Sequence, residues 1–247
     1  METWLKYLLI FLAGFVAGII NILAGAGSVL TIPALIFLGL PADIANGTNR
    51  IGIFFQNVLS VYKFMSKARE GIMIGLKLAG WTVIGSVAGS LLGIRIKSDT
   101  LQTIFGIIII FFAVLTVFKS KLKIRNTRKQ PWYIIAPIFI LIGFYGGLFQ
   151  AGVGLFLIAA ISFCYVDDMV KVNSAKITTV LIFILPSLII YAIGGKVELF
   201  PAMILTCGSM LGGYLGTHLA LKKDSSFVNY AIVAAVVLSG LKLLKVF

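Results

Sequence analysis

The chain has 247 residues, of which 60% are hydrophobic and only 12% are charged. A soluble domain is nearer half apolar and a quarter charged, so this composition excludes a purely soluble protein and requires lipid around much of the chain. The 21 basic and 8 acidic residues give a net charge of +13. In so apolar a chain this excess is typical of the positive loops that orient a membrane protein, and does not indicate nucleic-acid binding.

The first predicted element is a helix followed by a break. Residues 7–42 contain no charged side chain, and this run of 36 residues is too long for one membrane helix of about 20. The glycine-rich stretch 24–28 and Pro33 interrupt it. We therefore expect a full helix, a break at the glycines and a short helix that ends near Leu40.

Three further spans are expected before the middle of the chain, at residues 44–64, 78–94 and 100–118. Arg50 lies near the start of the first of them. Residues 119–129 follow, with six basic and no acidic side chains. This stretch is predicted to be a cytoplasmic loop, because cytoplasmic loops carry an excess of Lys and Arg.

The same pattern then begins again. Residues 130–166 form a second charge-free run, which is interrupted at 150–154, and further spans are expected at 169–193, 199–221 and 225–241. The fold predicted is an all-α polytopic membrane protein of 8–10 segments. It has a first transmembrane repeat at 1–118, a basic loop at 119–130 and a second transmembrane repeat at 131–247.

The two halves also agree in their residue spacing. Nineteen positions separate Gly27 from Asn46, and nineteen separate Gly154 from Asn173. Glycines spaced by four recur in both halves and predict closely packed helices, with no chemistry implied; they are Gly85, Gly89 and Gly93, then Gly208, Gly212 and Gly216.

The relative orientation of the two halves is left open by the loop charges. Five segments per half would give an inverted repeat and four a parallel one, and both place the same numbers of basic residues on each side. Paired broken helices are most familiar in inverted repeats, so we favour the inverted arrangement.

A helix that begins inside the bilayer exposes unpaired N–H groups and a partial positive charge at its N-terminus, which together favour an anion. Two such breaks at matching places predict a transport site near the midplane. The candidate substrate-binding residues are Asn21, Gly25, Gly27, Ser28, Asn46, Thr48, Asn49, Gln150, Gly152, Gly154, Asn173 and Lys176. For each polar residue alone, interhelical hydrogen bonding is the competing interpretation, and for Arg50 and Lys176 it is snorkelling to the interface.

Other functions are disfavoured by what the sequence lacks. All eight acidic residues flank the predicted spans, and no Ser/His/Asp group, His/Cys cluster or nucleotide-binding loop is present. His218 and the two cysteines, Cys164 and Cys207, stand outside any motif. We therefore expect no enzyme activity, no catalytic residues, no metal and no cofactor.

The glycine-rich break, the Pro33 that follows it, the segment start Ala45-Asn46-Gly47-Thr48 and their echoes in the second half resemble the TauE/SafE sulfite-exporter family of permeases. The second half departs from the first by having Asn173-Ser174-Ala175-Lys176 at that segment start.

The resemblance implies transport of small sulfur-containing or organic anions, such as sulfite or sulfoacetate, by a multi-pass protein of the inner membrane. The expected partners are a small anionic substrate and the lipid bilayer. A homodimer is a hypothesis left open, and a passive anion channel is the alternative to a secondary carrier.

Overall fold

The computed structural model describes residues 3–118, 130–165 and 168–221. The regular elements within these ranges are all helices. They are α1 (Thr3–Ala24), α2 (Ser28–Phe37), α3 (Ala42–Met65), α4 (Arg69–Gly93), α5 (Ser98–Phe118), α6 (Trp132–Leu148), α7 (Val153–Cys164), α8 (Met169–Ile193) and α9 (Leu199–Leu221). The predicted all-α fold with a short helix in each half is confirmed. The predicted basic loop at 119–129 and the span at 225–241 lie outside the described residues.

The helices are distributed as in a membrane protein. Four of them, α1, α4, α8 and α9, are long and apolar enough to cross a bilayer. Their outward surfaces carry large apolar side chains such as Leu8, Ile84 and Leu211, whereas polar side chains of α3 and α8 point inward and are buried. Lipid is the natural solvent for such an apolar exterior, so this is a multi-pass membrane protein.

One span begins earlier than the charge pattern predicts. Helix α4 starts at Arg69 and not near residue 78, because the helix includes Glu70 and the exposed Lys77. A charged side chain at the end of a membrane helix can reach the interface, so a charge-free window underestimates the length of the helix.

Helices of the two halves pack against each other. The backbone of Gly18 lies against Ser209 and Gly213, so α1 and α9 are parallel neighbours. The backbone of Gly85 lies against Ile140 and Phe144, so α4 and α6 pair in the same way. The glycines spaced by four stand at these contacts, as predicted, because a Cβ there would overlap the backbone of the facing helix.

Side-chain contacts then give the direction of every long helix. Helices α3 and α9 are parallel, since Gln56 meets Gly213 and Ser60 meets Thr217. Helices α4 and α8 are also parallel, because the residue numbers of their contacts rise together, from Gly75 beside Ala175 to Gly93 beside Tyr191.

Helices α3 and α8, in contrast, run antiparallel through the centre of the molecule. Gly47 lies against Tyr191, and Arg50, further along α3, bonds Ser187, which lies earlier in α8. Helices α1, α3 and α9 therefore run in one direction and α4, α6 and α8 in the other. Helices α1, α3 and α4 each oppose their counterparts in the other half, α6, α8 and α9, so the repeat is inverted.

The short helices return toward the side from which they came. Helix α2 begins with Gly27 beside Ala17, near the middle of α1, and its Leu35 shares a cluster with Ile10. At 1.5 Å per residue its 10 residues cover about 15 Å, roughly half of a hydrocarbon core of about 30 Å. The N-terminus of α2 thus lies deep within the membrane region.

Candidate functional site

The first break is formed by backbone geometry that glycine permits. Helix α1 ends at Ala24, and Gly25 adopts a positive φ of 75° that turns the chain back on itself. Gly27 then packs against the carbonyl of Ala17 and the Cβ of Asn21. No side chain caps the N-terminus of α2 within the described ranges. The N–H groups of Val29 and Leu30 bond the carbonyls of Ala26 and Gly27, so the N–H of Ser28 is the group of this helix start that is left for a bound acceptor.

A small polar cavity lies at this uncapped helix start. It has a volume of about 10 Å³, room for about one water molecule. Asn21, Gly27, Ser28 and Asn49, which the sequence predicted, line it, and so do Ala17, Thr31, Ile53, Gln56 and Ser209. Of the predicted set, then, the structure gathers four around the N-terminus of α2.

Asn49 presents an unpaired donor at this cavity. The residue is 1% exposed, and its Oδ1 accepts a 2.6 Å hydrogen bond from the hydroxyl of Thr31, which fixes the amide orientation. Its Nδ2 has no hydrogen-bond partner in the described part of the chain. Buried polar groups are nearly always paired, so a free buried amide beside an uncapped helix start indicates a binding site for an acceptor.

Three polar lining residues were missed from the sequence: Thr31, Gln56 and Ser209. Thr31 follows Ser28 by three positions and Gln56 follows Asn49 by seven, so helical spacing placed both on the predicted faces. Ser209 is on α9, and nothing in its local sequence distinguishes it from a packing residue.

Arg50 is fully buried at the second break, where it stabilises the end of α6. Its guanidinium donates to the carbonyls of Gly146 and Gly147, at 3.2 and 2.7 Å, and to the side chains of Gln150 and Ser187, at 2.8 and 2.7 Å. The carbonyls at a helix C-terminus carry partial negative charge, so they compensate the cation in place of a carboxylate.

Lys176 does the same for the end of α1. Its Nζ donates to the carbonyls of Asn21 and Ile22, at 2.9 and 2.7 Å, and to the Oδ1 of Asn173 at 3.0 Å. A cation on the third helix of each half thus caps the broken helix of the other half. Neither cation snorkels to the membrane interface. Lys176 bonds the carbonyl of the lining residue Asn21 but does not itself line the cavity.

The remaining predicted polar residues hold helices together. The amide of Asn46 donates to the Leu148 carbonyl and to Tyr191, both at 2.9 Å. The hydroxyl of Thr48 accepts from the Glu198 N–H at 3.0 Å. These contacts stabilise the ends of α6 and α8, away from the cavity.

The second break is closed by packing. Gly25 and Gly154 lie in direct backbone contact, and the ring of Phe112 occupies the space beside Gly152, whose φ is +70°. Gln150 also has a positive φ and is turned toward Arg50. Gly154 therefore meets the first break, and none of Gly152, Gly154 and Gln150 lines the cavity there.

These contacts leave no room for a methyl group at Gly27 or Gly154. A Cβ at Gly27 would lie 2.5 Å from the Ala17 carbonyl oxygen, and one at Gly154 would overlap the backbone of Gly25. Both positions are intolerant of a side chain on packing grounds alone.

The two breaks differ in polarity. The repeat spacing of 127 positions relates Ser28, Thr31 and Gln56 of the first half to Leu155, Ile158 and Phe183 of the second. The same spacing relates the free amide of Asn49 to the engaged Lys176. The polar residues of the cavity at the first break are therefore not repeated at the corresponding positions of the second half.

The described residues include no group of three or more His, Cys, Asp or Glu side chains that could hold a metal ion. The acid nearest the protein interior, Asp43, forms a 2.6 Å ion pair with Lys196 at the start of α3. The groups at the cavity are thus neutral donors and a helix N-terminus, a combination suited to binding an anion without acid–base chemistry.

Opposed halves that meet through two broken helices define an inverted-repeat membrane protein of the kind that moves solutes across a bilayer. The chain belongs to the sulfite exporter TauE/SafE family, whose model matches residues 10–243. Membrane transport is accordingly its function class.

Curated relatives carry names of the same kind. A "Probable membrane transporter protein" of Haemophilus influenzae is 24% identical over 227 residues, covering 91% of this chain and 89% of the relative. YfcA of Escherichia coli K12 is 26% identical over 95% of this chain and 88% of the relative. YdhB of Bacillus subtilis 168 is 26% identical over 96% and 98%. No solved structure matches the chain.

Proposed function

We propose that this protein is a secondary transporter of small anions, sulfur-containing or organic acids such as sulfite or sulfoacetate, in the inner membrane. The anion binds at the N-terminus of α2. The observation that carries the proposal is the Nδ2 of Asn49, a buried donor without a partner in the described chain, beside a helix start without a side-chain cap.

The donors at the cavity suit a small oxyanion. Ser28 and Asn49 line the same cavity at the start of α2. The hydroxyl and N–H of Ser28 and the amide of Asn49 are hydrogen-bond donors, and the helix dipole favours negative charge there. Lys176 adds positive potential through the carbonyl of Asn21 to which it is bonded. Hydrogen bonds to a charged group are each worth about 1.5–3 kcal/mol, so a few of them suffice for specific binding.

The size of the cavity favours a carrier over a channel. A space of about 10 Å³ is smaller than sulfite, so the lining must separate before the anion enters. Helices α1, α3 and α9 contribute side chains to the cavity, and a relative movement of these helices would open it. A carrier of this kind exchanges substrate across the membrane, whereas a passive channel does not show counterflow.

The test is sulfite flux in proteoliposomes with the variants Asn49→Asp and Asn57→Asp. Asn49→Asp keeps the acceptor for Thr31 and replaces only the free donor by a negatively charged oxygen. Asn57 is a matched control, since it lies on the same helix, is 1% exposed and also has an amide nitrogen without a partner in the described ranges. It does not line the cavity.

We expect Asn49→Asp to lower sulfite flux roughly 10- to 100-fold, as the loss of one charge-assisted hydrogen bond predicts, and Asn57→Asp to lower it far less. Preloaded sulfite should accelerate uptake of labelled sulfite in the wild type. Equal losses in the two variants would show that a buried carboxylate merely disrupts α3, and absence of counterflow would favour the channel.

A further inference from the structure

A basic groove lies at one end of the molecule, between the C-terminal ends of α3 and α9. It is open to the surface and has a volume of about 550 Å³. Three basic side chains line it, those of Lys63, Lys67 and His218, together with the hydroxyl of Ser66. No acidic residue of the described chain is part of the lining. Its charge therefore attracts anions into a recess large enough to admit them.

The three basic side chains of the groove differ in how they are bonded. Lys63 is fixed, because its Nζ donates to the Tyr214 carbonyl at 3.2 Å and lies 3.1 Å from the centre of the Tyr214 ring. Lys67 and His218 are exposed, and neither forms an ion pair with an acid in residues 3–118, 130–165 or 168–221. Lys67 and His218 are thus the positions at which a mobile anion would be attracted.

A line of polar side chains connects this groove with the cavity at the first break. Gln56 lines the cavity, and one turn further along α3 the hydroxyl of Ser60 bonds the Gln56 carbonyl at 2.9 Å. Thr217 of α9 donates to that hydroxyl at 3.1 Å. Both hydroxyls belong to fully buried residues, and Lys63 follows on the next turn of α3. Positions 49, 56, 60 and 63 share one face of α3, and Lys67 follows the end of that helix at Met65.

We propose that the groove is a second anion site, a vestibule that collects small oxyanions, and that the contact between Ser60 and Thr217 closes the path from this vestibule to the cavity. The proposal rests on the proposed function, because the cavity is the destination of the path. Helices α3 and α5 both end on this side, so the vestibule shares its side of the membrane with residues 119–129, the stretch predicted to be cytoplasmic.

The gate is tested by crosslinking. Ser60→Cys and Thr217→Cys are introduced together after Cys164 and Cys207 have been replaced by alanine, and the protein is reconstituted for sulfite flux. We expect oxidation to a disulfide, verified by mass spectrometry, to stop the flux, and reduction to restore it. Each single cysteine variant is the control, and its flux should be the same before and after oxidation.

Free flux through protein with a complete Ser60→Cys/Thr217→Cys disulfide would overturn the path. The vestibule is tested independently with Lys67→Gln, for which Lys97→Gln is the matched control. Lys97 is an exposed lysine at the opposite end of α4, so the two variants remove the same charge from the two ends of the molecule.

We expect Lys67→Gln to raise the KM for sulfite about threefold or more at low ionic strength, with the difference vanishing at high salt, and Lys97→Gln to leave the KM unchanged. The assay uses vesicles of phosphatidylcholine alone and of phosphatidylcholine with phosphatidylglycerol. An effect confined to phosphatidylglycerol vesicles would assign the groove to a lipid headgroup phosphate, and equal KM values for the two variants would remove the vestibule. If Asn49→Asp still abolishes flux in either case, the cavity stands and only the route to it is wrong.

Discussion

At the residue scale, the most informative side chains are two cations, Arg50 and Lys176. The sequence indicated that they lie within membrane segments but not what they bind. Arg50 and Lys176 were expected either to contact substrate or to snorkel, and the structure shows each donating to the carbonyl ends of a helix in the opposite half. No local pattern could reveal this, because the partners are backbone atoms more than 90 positions away. The free amide of Asn49, in contrast, was within the predicted set.

Lys176→Gln should destabilise the protein as well as weaken anion binding. The neutral amide cannot replace all of the hydrogen bonds to the carbonyls of Asn21 and Ile22. Leaving the buried Ile22 carbonyl without this bond costs about 1–3 kcal/mol. Thermal unfolding in detergent measures this. Lys171→Gln is the control, because Lys171 forms only an exposed ion pair with Glu70 and its loss should leave the unfolding temperature unchanged. Equal unfolding temperatures for the two variants would show that Lys176 is not a helix cap.

At the element scale, the helix breaks before α2 and α7 were predictable from the sequence. It was not predictable that the first would border a polar cavity and the second would be closed by packing. Charge-free runs too long for one helix, each interrupted by glycines, placed α2 and α7 within a few residues of their observed starts. The direct contact of Gly25 with Gly154 depends on the packing of both halves and could not be read from either. The difference in polarity between the two breaks was visible in the alignment of the repeats, in which Ser28 and Thr31 correspond to Leu155 and Ile158.

Gly25→Ala and Gly154→Ala should both impair assembly of the protein. Each methyl would overlap backbone atoms of the opposite half, which cannot rotate away as a side chain can, and overpacking of this kind costs about 1–3 kcal/mol or more. Gly25 would also be strained by its positive φ. The readout is the yield of monodisperse protein and its unfolding temperature.

Gly80→Ala is the matched control for these variants, because a Cβ at Gly80 meets nothing within 4 Å and alanine favours a helix. It should be neutral or slightly stabilising. Gly154→Ala protein that assembles as well as Gly80→Ala protein would mean that the two breaks do not touch as the structure describes.

At the scale of the whole molecule, the inverted arrangement of the halves is decided by helix packing. Loop charges alone were consistent with parallel and inverted repeats. The parallel pairs α1 with α9 and α4 with α6, and the antiparallel pair α3 with α8, leave only the inverted repeat. Each of these pairs joins the first half to the second, so the repeats visible in the sequence interleave in space.

Cysteine labelling in intact cells tests the inversion. Ser66 follows α3 and Glu198 follows its counterpart α8, and both are exposed. In an inverted repeat, an impermeant maleimide added outside should label Glu198→Cys and not Ser66→Cys, given a cytoplasmic 119–129 loop. Cys164 and Cys207, which stand outside any motif and are expected to be dispensable, are first replaced by alanine. Labelling of both positions from the same side would require a parallel repeat.

We predict that an anion binds at the N-terminus of α2, and diffraction from crystals grown with selenite, which has the shape and charge of sulfite and scatters anomalously, would locate it. An anomalous peak should lie within hydrogen-bonding distance of the Asn49 Nδ2 and of Ser28, and should be absent in Asn49→Asp crystals. A peak instead at the second break, beside Gln150 and Arg50, would contradict it.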